Sequence, residues 1–424
     1  MNFYLLSLFF AIPIFFTLII LEILVSVKKG IKVNRPADLI SSLSSGITNI
    51  TKDSLKIGFV LISYSWLAEH FIIYKLEPVW AAVIVAFIVQ DFTGYWMHRL
   101  NHRVNIFWNR HVIHHSSEEF NLSCALRQSI SETIHFGAIL MVPAALLGVP
   151  ASIFIILGPI HLFMQFWYHT QLIDRMGWLE KIIITPSHHR VHHAINPQYL
   201  DKNYGQILII WDKMFGSFQE ELRNEKPIYG ILRPANTWNP IIINFKHLWQ
   251  LTLDAFHTKN LWDKIRIWFM PTGWRPDDVK IKFPISTTNI SRKQKKYDPD
   301  ISRTFLVWSF IQLNIGAVFM LHFFTVLEST SIPLNYLYAV LIIIHIFSLT
   351  SALDRKKYFI GVEVIKLFIG FSLLYYQNFY WFGLSQIHVF SLSTYAIISL
   401  IMIRVFHSEL KSSTDQSVIK LHTN

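Results

Sequence analysis

Residues 185–193 read TPSHHRVHH, in which His188, His189, His192 and His193 make up four of nine positions. Two further clusters precede it: His98 and His102, spaced H-x-x-x-H, and His111, His114 and His115, spaced H-x-x-H-H. His189, His192 and His193 repeat that second spacing. Helix positions three and four apart share a face. Two H-x-x-H-H turns and one H-x-x-x-H pair can therefore surround a small metal centre. Imidazole suits iron, zinc and copper, not magnesium or calcium. Cys124 is the single cysteine, which excludes a thiolate cluster and an intrachain disulfide. Eight imidazoles are too many for one ion, so a dinuclear centre is expected. Zinc usually closes its site with four ligands, or three and a water. A histidine-rich pair with open positions argues for iron and dioxygen chemistry instead.

Other polar residues qualify as supports. Asp91 lies seven residues before His98, on the same helical face and inside an apolar run. A carboxylate there is costly, so Asp91 is expected to orient an imidazole N–H of the centre, the alternative being an interhelix hydrogen bond. Glu118, directly after the second cluster, and Asn203, in DKNYG, are the other candidates to hold ligands, Asn203 alternatively capping a turn. Glu119 is expected to be solvated, and Arg127 to pair with Glu132 or, alternatively, to bind a lipid head group. His161 reads as a satisfied core histidine. His188 reads as the odd member of its cluster, and Trp96, Trp108, Trp167 and Trp211 as interfacial anchors.

The elements that must position these groups are apolar. The 424 residues are 52% hydrophobic and 15% charged, against roughly 25% charged in soluble domains. This points to an all-α, multi-pass membrane bundle. Apolar runs occupy 3–27, 56–74, 78–97, 134–168, 305–327, 334–352, 358–376 and 387–405. Pro143, Gly148 and Pro150 break the 134–168 run into a hairpin, giving about nine passes in all. Lys28, Lys29, Lys32 and Arg35 follow the first run, so it is expected to be an uncleaved anchor with its N-terminus outside. All three clusters then face the cytosol. The expected division is 1–77, spans and a basic loop; 78–250, the metal-binding catalytic domain; 251–303, a polar linker; 304–410, four spans; and 411–424, a disordered tail. The net charge of +11 lies between apolar runs with no basic stripe, which argues against nucleic-acid binding.

The order H-x-x-x-H, H-x-x-H-H, H-x-x-H-H resembles the fatty acid hydroxylase/sterol desaturase superfamily of membrane di-iron enzymes. Residues 98–129, 165–173 (QFWYHTQLI) and 185–218 are similar to its ether-lipid-cleaving branch. The resemblance is strong over 80–250 and only one of hydropathy in the first and last spans. It implies two iron ions held by His98, His102, His111, His114, His115, His189, His192 and His193. His169 is a ninth candidate, with Gln165 where some members carry a further histidine. It implies a lipid substrate entering from the bilayer, dioxygen as co-substrate and tetrahydrobiopterin as reductant. The reaction would hydroxylate an alkylglycerol beside its ether oxygen and release fatty aldehyde. The alternative within the superfamily is a fatty acyl, sterol or carotenoid hydroxylase or desaturase fed by a cytochrome b5 or ferredoxin type donor. One departure bears on the reductant: animal members carry Glu after the second histidine of the first cluster, where this chain has Arg103. The expected home is a bacterial inner membrane, or the endoplasmic reticulum in a eukaryote. A metal transporter would instead place its ligands near the bilayer midplane, along a path.

Overall fold

The computed structural model describes residues 3–288 and 295–421, without the side chains of 3–5, 386 and 408–421. The chain enters through α1 (Phe3–Lys28), whose 26 residues rise about 39 Å, enough to cross a hydrocarbon core of about 30 Å. Helix α2 (Pro36–Ser54) starts on a proline whose fixed φ and missing N–H suit a first turn. It is rich in Ser and Thr, yet 13 of its 19 residues are buried. Most of its buried hydroxyls find partners among the described residues, Ser44 excepted: Thr48, Thr51 and Ser54 bond back to carbonyls three or four residues earlier, and Ser41 bonds the Trp238 carbonyl.

The 56–74 run is not a span. Ser63 caps a seven-residue helix, α3 (Tyr64–His70), which rises only about 10 Å. The residues before it form β1 (Phe59–Val60), paired in parallel with β2 (Ile134–His135). Helix α4 (Val79–Arg103) crosses, then breaks into α5 (Asn105–Trp108) and α6 (Val112–His115). The expected hairpin break appears between α7 (Val142–Leu146) and α8 (Ala151–Phe166). There Gly148 takes φ +62°, with Ile72 too close for a side chain. Short helices α9 (Pro186–His192) and α10 (Ile210–Met214) precede α11 (Pro240–His257), α12 (Leu261–Arg266) and α13 (Asp277–Lys282).

Four long helices close the chain: α14 (Arg303–Val326), α15 (Ile332–Leu353), α16 (Phe359–Tyr376) and α17 (Gln386–Leu421). Their core is Phe319, Phe323, Tyr338, Ile342 and Ile346, and α2 packs against α14 and α15. Among the described residues six helices are long and apolar enough to cross a membrane: α1, α4 and α14 to α17. The expected count of about nine also included 56–74 and the two hairpin arms. The first is broken by Ser63 and the β1 pairing, and the arms are too short to span alone. The tail from 411 falls at the end of α17, where side chains are not described, and 422–424 lie outside the described residues. The 251–303 segment is tied to the second histidine cluster: Tyr297 N–H bonds Glu118, and Lys296 bonds Glu119.

Candidate metal centre

All nine candidate histidines converge, in two groups. His98, His102, His111, His115 and His192 form one; His114, His169, His189 and His193 form the other. Within each group the available ligand atoms lie within 4.8 Å of one another. The turns are shared crosswise. The 111–115 turn gives its i,i+4 pair to the first group and His114 to the second. The 189–193 turn gives His189 and His193 to the second and His192 to the first. Helix α4 supplies His98 and His102, and His169 follows the end of α8.

The ring nitrogens show what the groups are built to hold. Four rings meet a backbone carbonyl through Nδ1: His98 with Tyr204 (2.8 Å), His114 with Arg127 (3.3 Å), His169 with Gln165 (3.0 Å) and His192 with Lys202 (2.9 Å). A carbonyl only accepts, so Nδ1 carries the proton and Nε2 keeps a bare lone pair. Yet Nε2 of His114 and Nε2 of His169 face each other at 3.3 Å. Further Nε2 pairs are His98 with His111 (3.0 Å), His102 with His115 (3.1 Å) and His189 with His169 (2.8 Å). Protonation does not relieve the crowding. Burial first, then neighbouring imidazoles, holds His111, His115, His169, His189, His192 and His193 well below the ordinary histidine range. His114 is pushed down to about 3, chiefly by burial. The Nε2 of His192 is buried with no partner among the described residues. Neutral nitrogens facing one another in a buried site fit transition-metal cations, and neither group contains a carboxylate.

The supports differ from the sequence reading. Asp91 accepts from an imidazole, but from His161 (3.1 Å), outside both groups. It also accepts from the N–H groups of Ile207, Leu208 and the Trp211 indole. The Trp211 indole, expected to be an interfacial anchor, thus donates to a buried carboxylate. Asp91 connects to the centre through His161 and Gln165, whose backbone carbonyl holds His169. Glu118 touches no ligand; it pairs with Arg35 at 3.3 Å and bonds Tyr297 N–H. Glu119 is buried, not solvated, between Arg35 and Lys296. Arg127 pairs with Asp38 at 2.9 Å, and Glu132 pairs with Arg110 instead.

Asn203 touches no imidazole. In a left-handed conformation (φ +53°) it clamps its loop to the His188 and Gln219 backbones. The neighbouring residues Lys202 and Tyr204 present their carbonyls to His192 and His98. Arg103 secures the same loop through Asp201 at 2.9 Å. Backbone carbonyls as orienting groups leave no side-chain signal, which is why the sequence reading missed them. It also missed Tyr168, a buried phenol whose ring lies 4.3 Å from that of His189. His188 belongs to neither group and lies against Thr185 at 3.4 Å.

A cavity of about 830 Å³ meets the centre at His98, His111, His114, His169 and His189. It extends along apolar residues of α1 and α14, including Ile12, Phe16, Leu313 and Met320. That is the size of a site for a lipid-like ligand.

Comparisons with known proteins agree with this centre. The fatty acid hydroxylase family model matches residues 83–217, which hold all nine histidines. Human alkylglycerol monooxygenase is 34% identical over 86% of this chain and 81% of its own length. The zebrafish (Danio rerio) alkylglycerol monooxygenase is 36% identical, over 75% of this chain and 69% of its own. The ornithine lipid hydroxylase OlsE of Rhizobium tropici is 30% identical over 36% of this chain and 46% of its own. No solved structure matches significantly. The chain belongs to the alkylglycerol monooxygenase family, within the fatty acid hydroxylases, and is an oxidoreductase of the membrane.

Proposed function

We propose that this protein is a lipid monooxygenase that opens the ether bond of alkylglycerols, using two iron ions, dioxygen and a reduced pterin. The observation that carries the reading is the junction of two all-imidazole groups with a cavity running among apolar helices. The nine histidines would hold the irons, which supply redox activation of dioxygen when bound. One oxygen atom enters the C–H bond beside the ether oxygen. The other leaves as water, with two electrons and two protons drawn from the reductant. The hemiacetal so formed breaks its C–O bond, giving a fatty aldehyde and a free glycerol hydroxyl.

The chain's own residues do the positioning. The Tyr204, Lys202, Gln165 and Arg127 carbonyls aim Nε2 of four rings inward. The apolar wall of α1 and α14 excludes water and receives the alkyl chain from the bilayer. Residues 78–250 act as the catalytic unit, with 1–77 and 304–410 as membrane platform and 251–303 as a linker. The basic residues at and after the end of α1 (Lys28, Lys29, Lys32) and after α15 (Lys356, Lys357) support a cytosolic location for the centre.

The test is metal analysis of the purified protein with an alkylglycerol assay, run with tetrahydrobiopterin and separately with reduced ferredoxin or cytochrome b5. Pterin-dependent aldehyde release from iron-loaded protein is expected. Aldehyde release with a redox protein alone would reassign the donor. No turnover of any alkylglycerol by fully loaded protein would overturn ether cleavage.

A further inference from the structure

The cavity is not apolar throughout. Away from Ile12, Phe16 and Met320 its wall includes Lys52 and Asp53 at the end of α2, and Arg110, Glu132 and His135 beside β2. Arg110 immediately precedes His111, so this charged region borders the first histidine group. Its charges are matched one for one. Lys52 pairs with Asp53 at 2.7 Å, and the Arg110 guanidinium bonds the Glu132 carboxylate. His135 lies 3.7 Å from that same carboxylate, and burial and the nearby Lys52 and Arg110 push it toward the neutral form. Two cations are therefore answered by two anions, and no positive charge is left over for a phosphate. Hydrogen-bonding capacity, by contrast, is left over. Thr93 Oγ1, Asn101 Oδ1 and Arg110 Nε, all in side chains of this wall, are buried without a partner among the described residues. Buried polar atoms normally find partners, and an unmade bond there is costly.

We propose that this charge-balanced end of the cavity, centred on the Arg110–Glu132 pair, seats an uncharged, hydroxyl-bearing head group and discriminates against phosphate monoesters. The inference rests on the ether-lipid reading above and adds the selectivity residues. A glycerol hydroxyl both donates and accepts, so it can use the carboxylate and the guanidinium together. A phosphate dianion would meet Glu132 and Asp53 as like charges and would have to displace one of them from its cation.

The experiment uses full-length, metal-loaded protein in lipid nanodiscs with two probes, 1-O-hexadecylglycerol and its 3-phosphate. The wild type is expected to favour the uncharged ether by at least about tenfold in kcat/KM. Glu132→Gln, which frees the Arg110 guanidinium, should raise KM for hexadecylglycerol and narrow that preference at unchanged metal content. Equal wild-type turnover of the two ethers, or a Glu132→Gln ratio equal to the wild type, overturns the proposal. Should the variant fail to hold metal, the wild-type ratio decides alone. If neither ether yields aldehyde from fully loaded protein, the ether-lipid reading itself fails; aldehyde release without selectivity defeats only the head-group assignment.

Discussion

At the scale of single residues, His188 and His189 are sequence neighbours with different surroundings. His189 Nε2 meets His169 and His193, whereas His188 lies against Thr185 and near Glu180, outside both groups. Alanine at His189, His192 or His193 should remove most of the bound metal, while His188→Ala should keep most of it; metal-to-protein ratios of the four variants decide. Equal loss in all four would overturn the assignment. The H-x-x-H-H spacing made this division readable from the sequence, because a repeated pattern of ligand type at helical intervals is rare. The partition of each turn between two groups was not readable. It depends on how α6 and α9 face one another, which no local spacing encodes. The supports were hidden for a related reason. Asp91 was expected to orient an imidazole of the centre, yet the imidazole it meets is His161, outside both groups and brought in by the hairpin fold. Glu118 beside the cluster proved to be a tether for Arg35.

At the scale of elements, the loop around Lys202 and Tyr204 fixes two ligands through its backbone. Gly205 follows directly. A β-carbon there would meet the Leu208 carbonyl at 2.7 Å and the Asp212 carboxylate at 2.9 Å. Gly205→Ala should shift the loop, misalign His98 and His192, and lower metal affinity by about 10- to 100-fold, as loss of an orienting partner does elsewhere. Competition with a chelator measures this. The last four helices hold a second instructive cluster. Lys366 is buried with Glu363 and bonds the Tyr395 hydroxyl at 2.6 Å, while Ser348 bonds Glu363 at 2.6 Å. Removing one charge leaves the other stranded, so Glu363→Gln should destabilise the bundle by about 3–5 kcal/mol. Replacing both partners by apolar residues should cost less; unfolding in detergent compares them. Hydropathy found these helices readily. It failed on α2, where Thr48, Thr51 and Ser54 bond backward along the helix while Ser41 and Ser45 bond carbonyls of neighbouring segments, and on 56–74, where Ser63 and the β1–β2 pairing interrupt an apolar run.

At the scale of the whole molecule, the cavity joins parts far apart in the sequence. Its apolar wall comes from the first helix and from α14, some 300 residues later, and the centre lies between them in sequence. On the proposed function, that wall would set the length of alkyl chain accepted without touching the histidine groups. Ile12→Trp should shift turnover from long-chain toward short-chain alkylglycerols with unchanged metal content, read by competition between hexadecyl and octyl ethers. An unchanged chain-length profile would mean that the alkyl group takes another path.

The crosswise sharing of the histidine turns bears on how the centre fills. Whatever ion orders the 111–115 turn through His111 and His115 also fixes His114 for its neighbour; the 189–193 turn couples them in the reverse sense. If the centre takes two ions as proposed, the first would bear the entropy of ordering both turns, and the second would find its ligands already arranged. Titrating iron into the stripped protein should give a sigmoidal curve. Underloaded preparations should then be mixtures of empty and doubly filled molecules, with few that hold a single ion.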